Sequence, residues 1–242
     1  MKINSFNFLY LLEMLLPAIG LCLPLKKRQH GIQKALTVVL AGFLLSGLVT
    51  TFFISHFGTA IAENLSQPEQ FAGLIFWFFM TWTIVISAIY LYTESSIYDS
   101  IYIFALSYGI EHIFYCIRVL TECITNGVID NKHPVIYLPC LLGSFLLAYF
   151  WFTSGTIYEG RYPTGAIAAT TTSVVLIAIV CGLSIVMAFF GYAHLHSIYA
   201  ILCCIFILTN QRGQMKREIE RIEFSQKEQL WEKTKLRYEM SK

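Results

Sequence analysis

Residues Ile101–Leu120 read IYIFALSYGIEHIFYCIRVL. An α-helix rises about 1.5 Å per residue, so about 20 mostly apolar residues cross the hydrocarbon core of a bilayer, which is roughly 30 Å thick. A soluble amphipathic helix of this length would carry a full polar face. Here, apart from tyrosine and cysteine, the ionisable groups are only Glu111, His112 and Arg118. An ionisable side chain near the bilayer centre costs about 2.5 to 3.5 kcal/mol on insertion scales, so each of the three needs a reason to be there.

The rest of the chain has the same character. Of its 242 residues 56% are hydrophobic and only 13% charged, with mean hydropathy +0.61. A soluble domain carries about 25% charge, which sets aside a disordered chain, a basic nucleic-acid-binding domain and an ordinary cytosolic enzyme. Seven apolar segments can be read, at 6–24, 35–57, 70–92, 101–120, 135–152, 165–189 and 192–209. The fifth and seventh are the weakest of these. The expected fold is therefore all-α: a polytopic transmembrane helical bundle of seven spans, or six if the first segment lies only in the interface, followed by a long charged helix at 210–242. The domains expected are a membrane sensor-like domain over 1–209 and a cytoplasmic helix over 210–242. There is no cleavable signal peptide pattern and no internal repeat.

Positive charge sets the expected direction. Lys26, Lys27, Arg28 and Lys34 lie in or beside the first connection, Arg161 in a later one, and nine Lys and Arg follow Asn210. Lys2 and Lys132 fall on the other side. The positive-inside rule then places the N-terminus outside, the C-terminus in the cytoplasm and the chain in the plasma membrane as a multi-pass protein. Tyr90, Tyr92, Tyr98 and Tyr102 flank the second inner connection, and Trp151, Tyr158 and Tyr162 the third, as interfacial aromatics do.

The polar positions inside the spans are the candidate sites. Glu111 and Arg118 are seven residues apart, nearly two turns, and share a helix face. In one reading they line an outward-opening pocket, with Arg118 meeting a ligand carboxylate and Glu111 or His112 as its deeper partner. In the other they are interhelical glue, with Arg118 snorkelling to headgroups. Glu13, four residues before Pro17, is the other buried carboxylate and stands between the same two readings. The outer connections 58–69 and 121–133 hold Glu63, Glu69, Glu122 and Asp130, a rim that attracts a cationic peptide or is simply solvated surface.

Other chemistries fit less well. The seven cysteines (22, 116, 123, 140, 181, 203 and 204) form no CxxC pair and read as small apolar fillers rather than disulfides or metal ligands. His112 and Cys116 share a face, which a membrane cysteine peptidase would need, but no third orienting group is evident. EHIFY is not HExxH, and His194 and His196 do not share a face, so no metal site is expected. A lysine for a retinal Schiff base is missing from 192–209. A small permease or transporter component remains an alternative, although no symmetry is visible.

Beyond Asn210 come nine basic and six acidic residues with one glycine. Met215, Ile219, Ile222, Leu236 and Met240 fall on heptad a/d positions, with Gln226, Gln229 and Lys233 interrupting the seam. The run is expected to form either a parallel homodimeric coiled coil or a solvated helix that anchors the last span. A multi-span apolar N-terminus without a large outer loop, followed by REIERIEFSQKEQLWEKTKLRYEMSK (Arg217–Lys242), resembles the membrane input half of accessory-gene-regulator-like sensor histidine kinases, the quorum- and peptide-sensing kinases with a GHKL-type ATPase domain. The resemblance is architectural over the chain and sequence-like over the last 30 residues or so. It implies a two-component signal-transduction role: a small peptide ligand sensed outside and a message relayed through the 210–242 helix. The departure is that no His follows His196 and no ATP-binding box is present. A phospho-acceptor, ATP, Mg²⁺ and contact with a response regulator would all belong to a kinase half that these residues do not contain. On this reading the chain is a fragment, a truncated gene or a stand-alone sensor, with no cofactor and no nucleic-acid partner of its own.

Overall fold

The computed structural model describes residues 3–57, 67–163, 171–172, 174–179, 182 and 193–241. Among these the chain is all-helical, with no β-strand. In chain order the elements are α1 (Ile3–Cys22), α2 (Gly31–Phe57), α3 (Gln67–Tyr92), α4 (Ile97–Ile124), α5 (Pro134–Leu146) with a π-helical extension (Leu147–Phe152), and α6 (Ala193–Met240). The expected segments at 6–24, 35–57, 70–92 and 101–120 each lie inside one helix. The segment at 135–152 is α5 with its extension. The segment at 165–189, Cys181 included, falls largely outside the described residues.

Among the described residues three helices are long and apolar enough to cross a membrane: Ile97–Ile124, Pro134–Phe152 and His194–Met240. They correspond to the fourth, fifth and seventh segments, so the two that look weakest in sequence meet the length and hydropathy requirement. Shorter apolar helices cover Leu9–Cys22, Gly31–Leu45 and Phe79–Tyr92. The bundle is dressed for lipid. Leu36, Leu40, Leu44 and Leu48 of α2, Leu138 and Leu142 of α5, and Leu202 and Phe206 of α6 are exposed, whereas Ser107, Glu111, His112, Arg118, Ser144 and His196 are buried. Water would reverse that distribution, because exposed apolar patches of this extent are rare on soluble monomers.

Helix α4 is the hub, packing against α1, α3, α5 and α6. It starts at a capping box in which Asp99 N–H donates to Ser96 Oγ and Ser96 N–H donates to Asp99 Oδ2. That reciprocal pair satisfies backbone donors the helix leaves open. Tyr102, Ile103, Phe104, Leu106 and Ile110 are fully buried along α4. Trp82 of α3 packs its ring 5.7 Å from Phe104 and 5.6 Å from Tyr108, so the mid-segment tryptophan serves packing rather than anchoring. Helices α1 and α5 approach closely at Gly20, where a Cβ would lie 2.9 Å from the Phe145 carbonyl oxygen. In α5 the Thr153 N–H reaches back five residues to the Ala148 carbonyl, which is the wider π turn.

The connections 23–30, 93–96 and 153–163 converge on one end of the bundle. Lys26 N–H donates to Gly160 O (2.9 Å), Glu94 N–H to Lys26 O (2.9 Å) and Arg28 N–H to Tyr92 O (3.0 Å). The Arg28 guanidinium donates to Thr93 O (2.6 Å) and Ser95 O (3.1 Å) and lies over the Tyr90 ring. The buried Tyr162 hydroxyl donates to Leu21 O at 2.9 Å, and its burial raises its pKa well above the ordinary tyrosine value. Gly31 begins α2 hard against the end of α3: a Cβ there would meet Tyr92 O at 2.6 Å. Lys26, Lys27, Arg28 and Arg161 thus share one end, and the charged part of α6 leaves from that end. Arg212 donates to Ser154 O (3.3 Å), and Tyr158 donates to Gln226 Oε1 (2.8 Å).

The seventh apolar segment and the charged tail form one helix of 48 residues, about 72 Å long at about 1.5 Å per residue. It runs antiparallel to α4, with Tyr102 near Gln211 at one end (hydroxyl to Oε1, 3.1 Å) and His112 near His196 towards the other. One seam assignment needs correcting. Met215 is 2% exposed and part of the chain's own core, so it is not available to a second rod. Ile219 and Ile222 are half-buried, whereas Leu236 and Met240 are exposed. The off-seam Phe224, Leu230 and Trp231 are exposed as well.

Candidate functional site: a buried ion cluster among α1, α4 and α5

The seven-residue spacing of Glu111 and Arg118 puts both side chains on the α4 face that meets α1 and α5. Side chains on a helix lean toward its N-terminus, so Arg118 reaches back along α4 toward Glu111 and shortens the axial gap between them. Its Nη2 lies 3.7 Å from Glu111 Oε1. From α1, Glu13 completes the cluster: Arg118 Nη1 donates to Glu13 Oε1 at 2.7 Å, the distance of a charge-assisted hydrogen bond. The three side chains are nearly enclosed, at 5% exposure for Arg118, 6% for Glu111 and 12% for Glu13. The guanidinium also sits 4.9 Å from the Tyr137 ring centre and 5.7 Å from that of Tyr115, within cation–π range. Among the described residues Arg118 Nε has no hydrogen-bond partner.

These groups border a small cleft with room for about one water molecule, lined by Glu13, Glu111, Phe114, Arg118, Cys140, Leu141 and Ser144. The α1 backbone beside Glu13 is pinned to α4 by the Ser107 hydroxyl, which donates to Met14 O at 2.9 Å. Pro17 lies buried within α1 without ending the helix.

Of the intramembrane candidates read from the sequence, Glu111, Arg118 and Glu13 come together and His112 does not. Its ring faces α6, 6.3 Å edge-on from His196, and stacks 5.7 Å from Tyr115. Among the described residues, His112 Nε2 and both His196 nitrogens are buried without a hydrogen-bond partner. Cys116 is adjacent to Ser197 of α6, and no imidazole–thiol hydrogen bond joins it to His112 among the described residues. The arrangement a cysteine peptidase needs is therefore not formed there. The described cysteines Cys22, Cys116, Cys123, Cys140, Cys203 and Cys204 are all free. Among the described residues no group of three or more His, Cys, Asp or Glu side chains could hold a metal ion.

Of the four acids in the connections 58–69 and 121–133, Glu63 and the side chain of Glu69 lie outside what the structure describes. Asp130 is exposed and accepts the Lys132 N–H at 2.7 Å, a local turn contact. Glu122 is half-buried. The sequence reading passed over Tyr137 and Ser144. The only sequence signal for them is spacing, since Tyr137, Cys140 and Ser144 recur at three and four residues on α5. His196 does not share a face with His194; the imidazole nearest it is His112 on α4.

Compared with protein-family models, with curated proteins and with solved structures, the chain finds no match.

Proposed function

We propose that this chain is the membrane-embedded input module of a sensor histidine kinase of the accessory-gene-regulator-like type. In this reading it crosses the plasma membrane seven times, with its N-terminus outside and its C-terminus in the cytoplasm. A small extracellular ligand, a peptide, binds at the Glu13–Arg118–Glu111 cavity, and α6 carries the signal into a homodimeric rod. The observation that supports it best is the position of α4, which bears the ion cluster toward α1 and α5 and packs lengthwise on α6. A rearrangement of the cluster tilts or slides α4, and α6 has no break before Met240 that would absorb the motion. Two further features favour the reading. The basic connections gather at the end from which the rod departs, as the positive-inside rule requires of a cytoplasmic face. Phe224, Leu230, Trp231 and Leu236 leave apolar surface on the rod for a second copy.

Energetically the ligand acts only through its differential affinity for two helix arrangements. Coupling of about 1–3 kcal/mol is ordinary for such transitions and corresponds to roughly 5- to 150-fold. The test is disulfide trapping of full-length protein in membranes, with single cysteines at Ile219, Ile222, Leu236 and Met240 in a background without native cysteines. Symmetric dimers at these positions, with a pattern altered by Arg118→Ala, are the expected result. Absence of any dimer across 219–240 overturns the relay and leaves the permease reading in its place.

A further inference from the structure

Where α1 meets α4, two carboxyl groups face each other: those of Glu13 and Glu111 are hydrogen-bonded together. An ionised carboxylate only accepts, so a hydrogen bond between two carboxyl groups needs a proton on one of them. The guanidinium does not supply it. Arg118 Nη1 donates to Glu13 Oε1 at 2.7 Å, while Nη2 stands 3.7 Å from Glu111 Oε1, too far for a hydrogen bond. One guanidinium also balances only one carboxylate, and a second, unpaired charge buried among apolar helices is costly. The other ionisable side chains about the pair are Tyr115 and Cys116 on α4, Tyr137 and Cys140 on α5, and Cys204 on α6. These phenols and thiols are neutral at neutral pH and bring no second cation. His112, next to Glu111 in sequence, faces α6.

We propose that the cluster is a binding site for a single proton, shared between the Glu13 and Glu111 carboxyl groups, which leaves it electrically neutral with Arg118 ionised. Glu13 carries the charge that meets the guanidinium, and Glu111 carries the proton and donates it to Glu13. The bond ties α1 to α4 beside the point where the Ser107 hydroxyl holds Met14 O at 2.9 Å. Loss of the proton puts two carboxylates in contact on one guanidinium, and like charges at that range repel strongly at low dielectric. The α1–α4 contact then loosens. The cleft beside the pair, lined by both acids and by Arg118, has room for about one water molecule. Such a water accepts the Arg118 Nε–H, which is buried and without a partner among the described residues. Glu111 hands its proton to that water as hydronium and takes it back the same way. This site goes beyond the peptide-sensing reading and does not depend on it.

The test is infrared spectroscopy of the full chain in phosphatidylcholine nanodiscs at neutral pH. A neutral carboxylic acid has a C=O stretch well separated from the carboxylate bands. Glutamate isotope-labelled at its side-chain carboxyl carbon distinguishes that stretch from lipid esters. The wild type is expected to show one glutamic acid band per chain, and both Glu111→Gln and Glu13→Gln are expected to lose it. In Glu13→Gln the freed guanidinium pairs with Glu111 as a carboxylate, so no proton is needed. Glutamine keeps an N–H donor where the proton was, which favours folding of both variants. Absence of the band in the wild type overturns the proposal, and this measurement needs no variant. Survival of the band in either variant overturns it as well, because the proton then belongs to one carboxyl alone or to another glutamate. Disulfide trapping along 219–240 reads a different property. The band without trapped dimers keeps the proton site and removes the relay, and trapped dimers without the band do the reverse.

Discussion

Two stretches of α6 obey opposite rules. From His196 to Met215 the inward positions are His196, Ser197, Ala200, Cys204, Leu208, Gln211 and Met215, all buried, while Leu202 and Phe206 point outward and are exposed. Beyond Met215 the polarity pattern inverts. Charged residues cover the rod, and the apolar Phe224, Leu230, Trp231, Leu236 and Met240 lie 56–79% exposed. One unbroken helix thus passes from a place where interior contacts are settled by α4 into one that the chain's described core does not reach. Stability in the first stretch comes from packing on the chain's own core. The second has no such support, because a helix held only by propensity and exposed i,i+4 pairs gains little from them.

Substitutions sharpen the contrast. Arg118→Ala leaves the Glu13–Glu111 pair buried without its counter-charge, and the destabilisation expected is about 3–5 kcal/mol, read as a large loss of folded protein in a detergent-denaturant titration. A loss below about 1 kcal/mol would mean that water reaches the cluster freely. Met215→Ala deletes a fully buried side chain where α6 leaves the bundle and is expected to cost about 2–4 kcal/mol. In the same assay Leu236→Ala, with its side chain 56% exposed in the single chain, is expected to change stability by no more than about 0.5 kcal/mol, yet to weaken trapped dimers. Equal costs at 215 and 236 would erase the distinction between the stretches. Ser96→Ala removes the capping box of α4 and is expected to cost about 1 kcal/mol. Arg161→Ala breaks only an exposed 4.0 Å pair with Glu94 and is expected to cost about 0.5 kcal/mol or less.

Legibility in the sequence followed distance along the chain. Glu111 and Arg118 could be placed on one face because seven residues make nearly two turns, whatever the tertiary fold. The third member, Glu13, sits 105 residues before Arg118, and no local period connects them. Read in isolation, Arg118 looks like a receptor for a ligand carboxylate, whereas in the fold its Nη1 already meets the Glu13 carboxylate at 2.7 Å. His112 illustrates the converse error: its adjacency to Glu111 suggested membership of the same cluster, but one residue is about 100° of helix rotation, enough to turn the imidazole to α6. Met215 fits the heptad arithmetic of the rod and still belongs to the bundle, because periodicity cannot say which partner fills a helix face.

Composition and run length alone required an apolar helical protein with a charged helix at its C-terminal end. Hydrophobic transfer and helix rise are local quantities, summed residue by residue. Which buried charges meet, how many carboxylates surround Arg118, and where along α6 the chain's own core stops were decided by the packing of α1, α4, α5 and α6. Those are questions of pairing between remote segments. Their answers depend on side-chain direction and on distances of a few ångströms that no linear pattern carries.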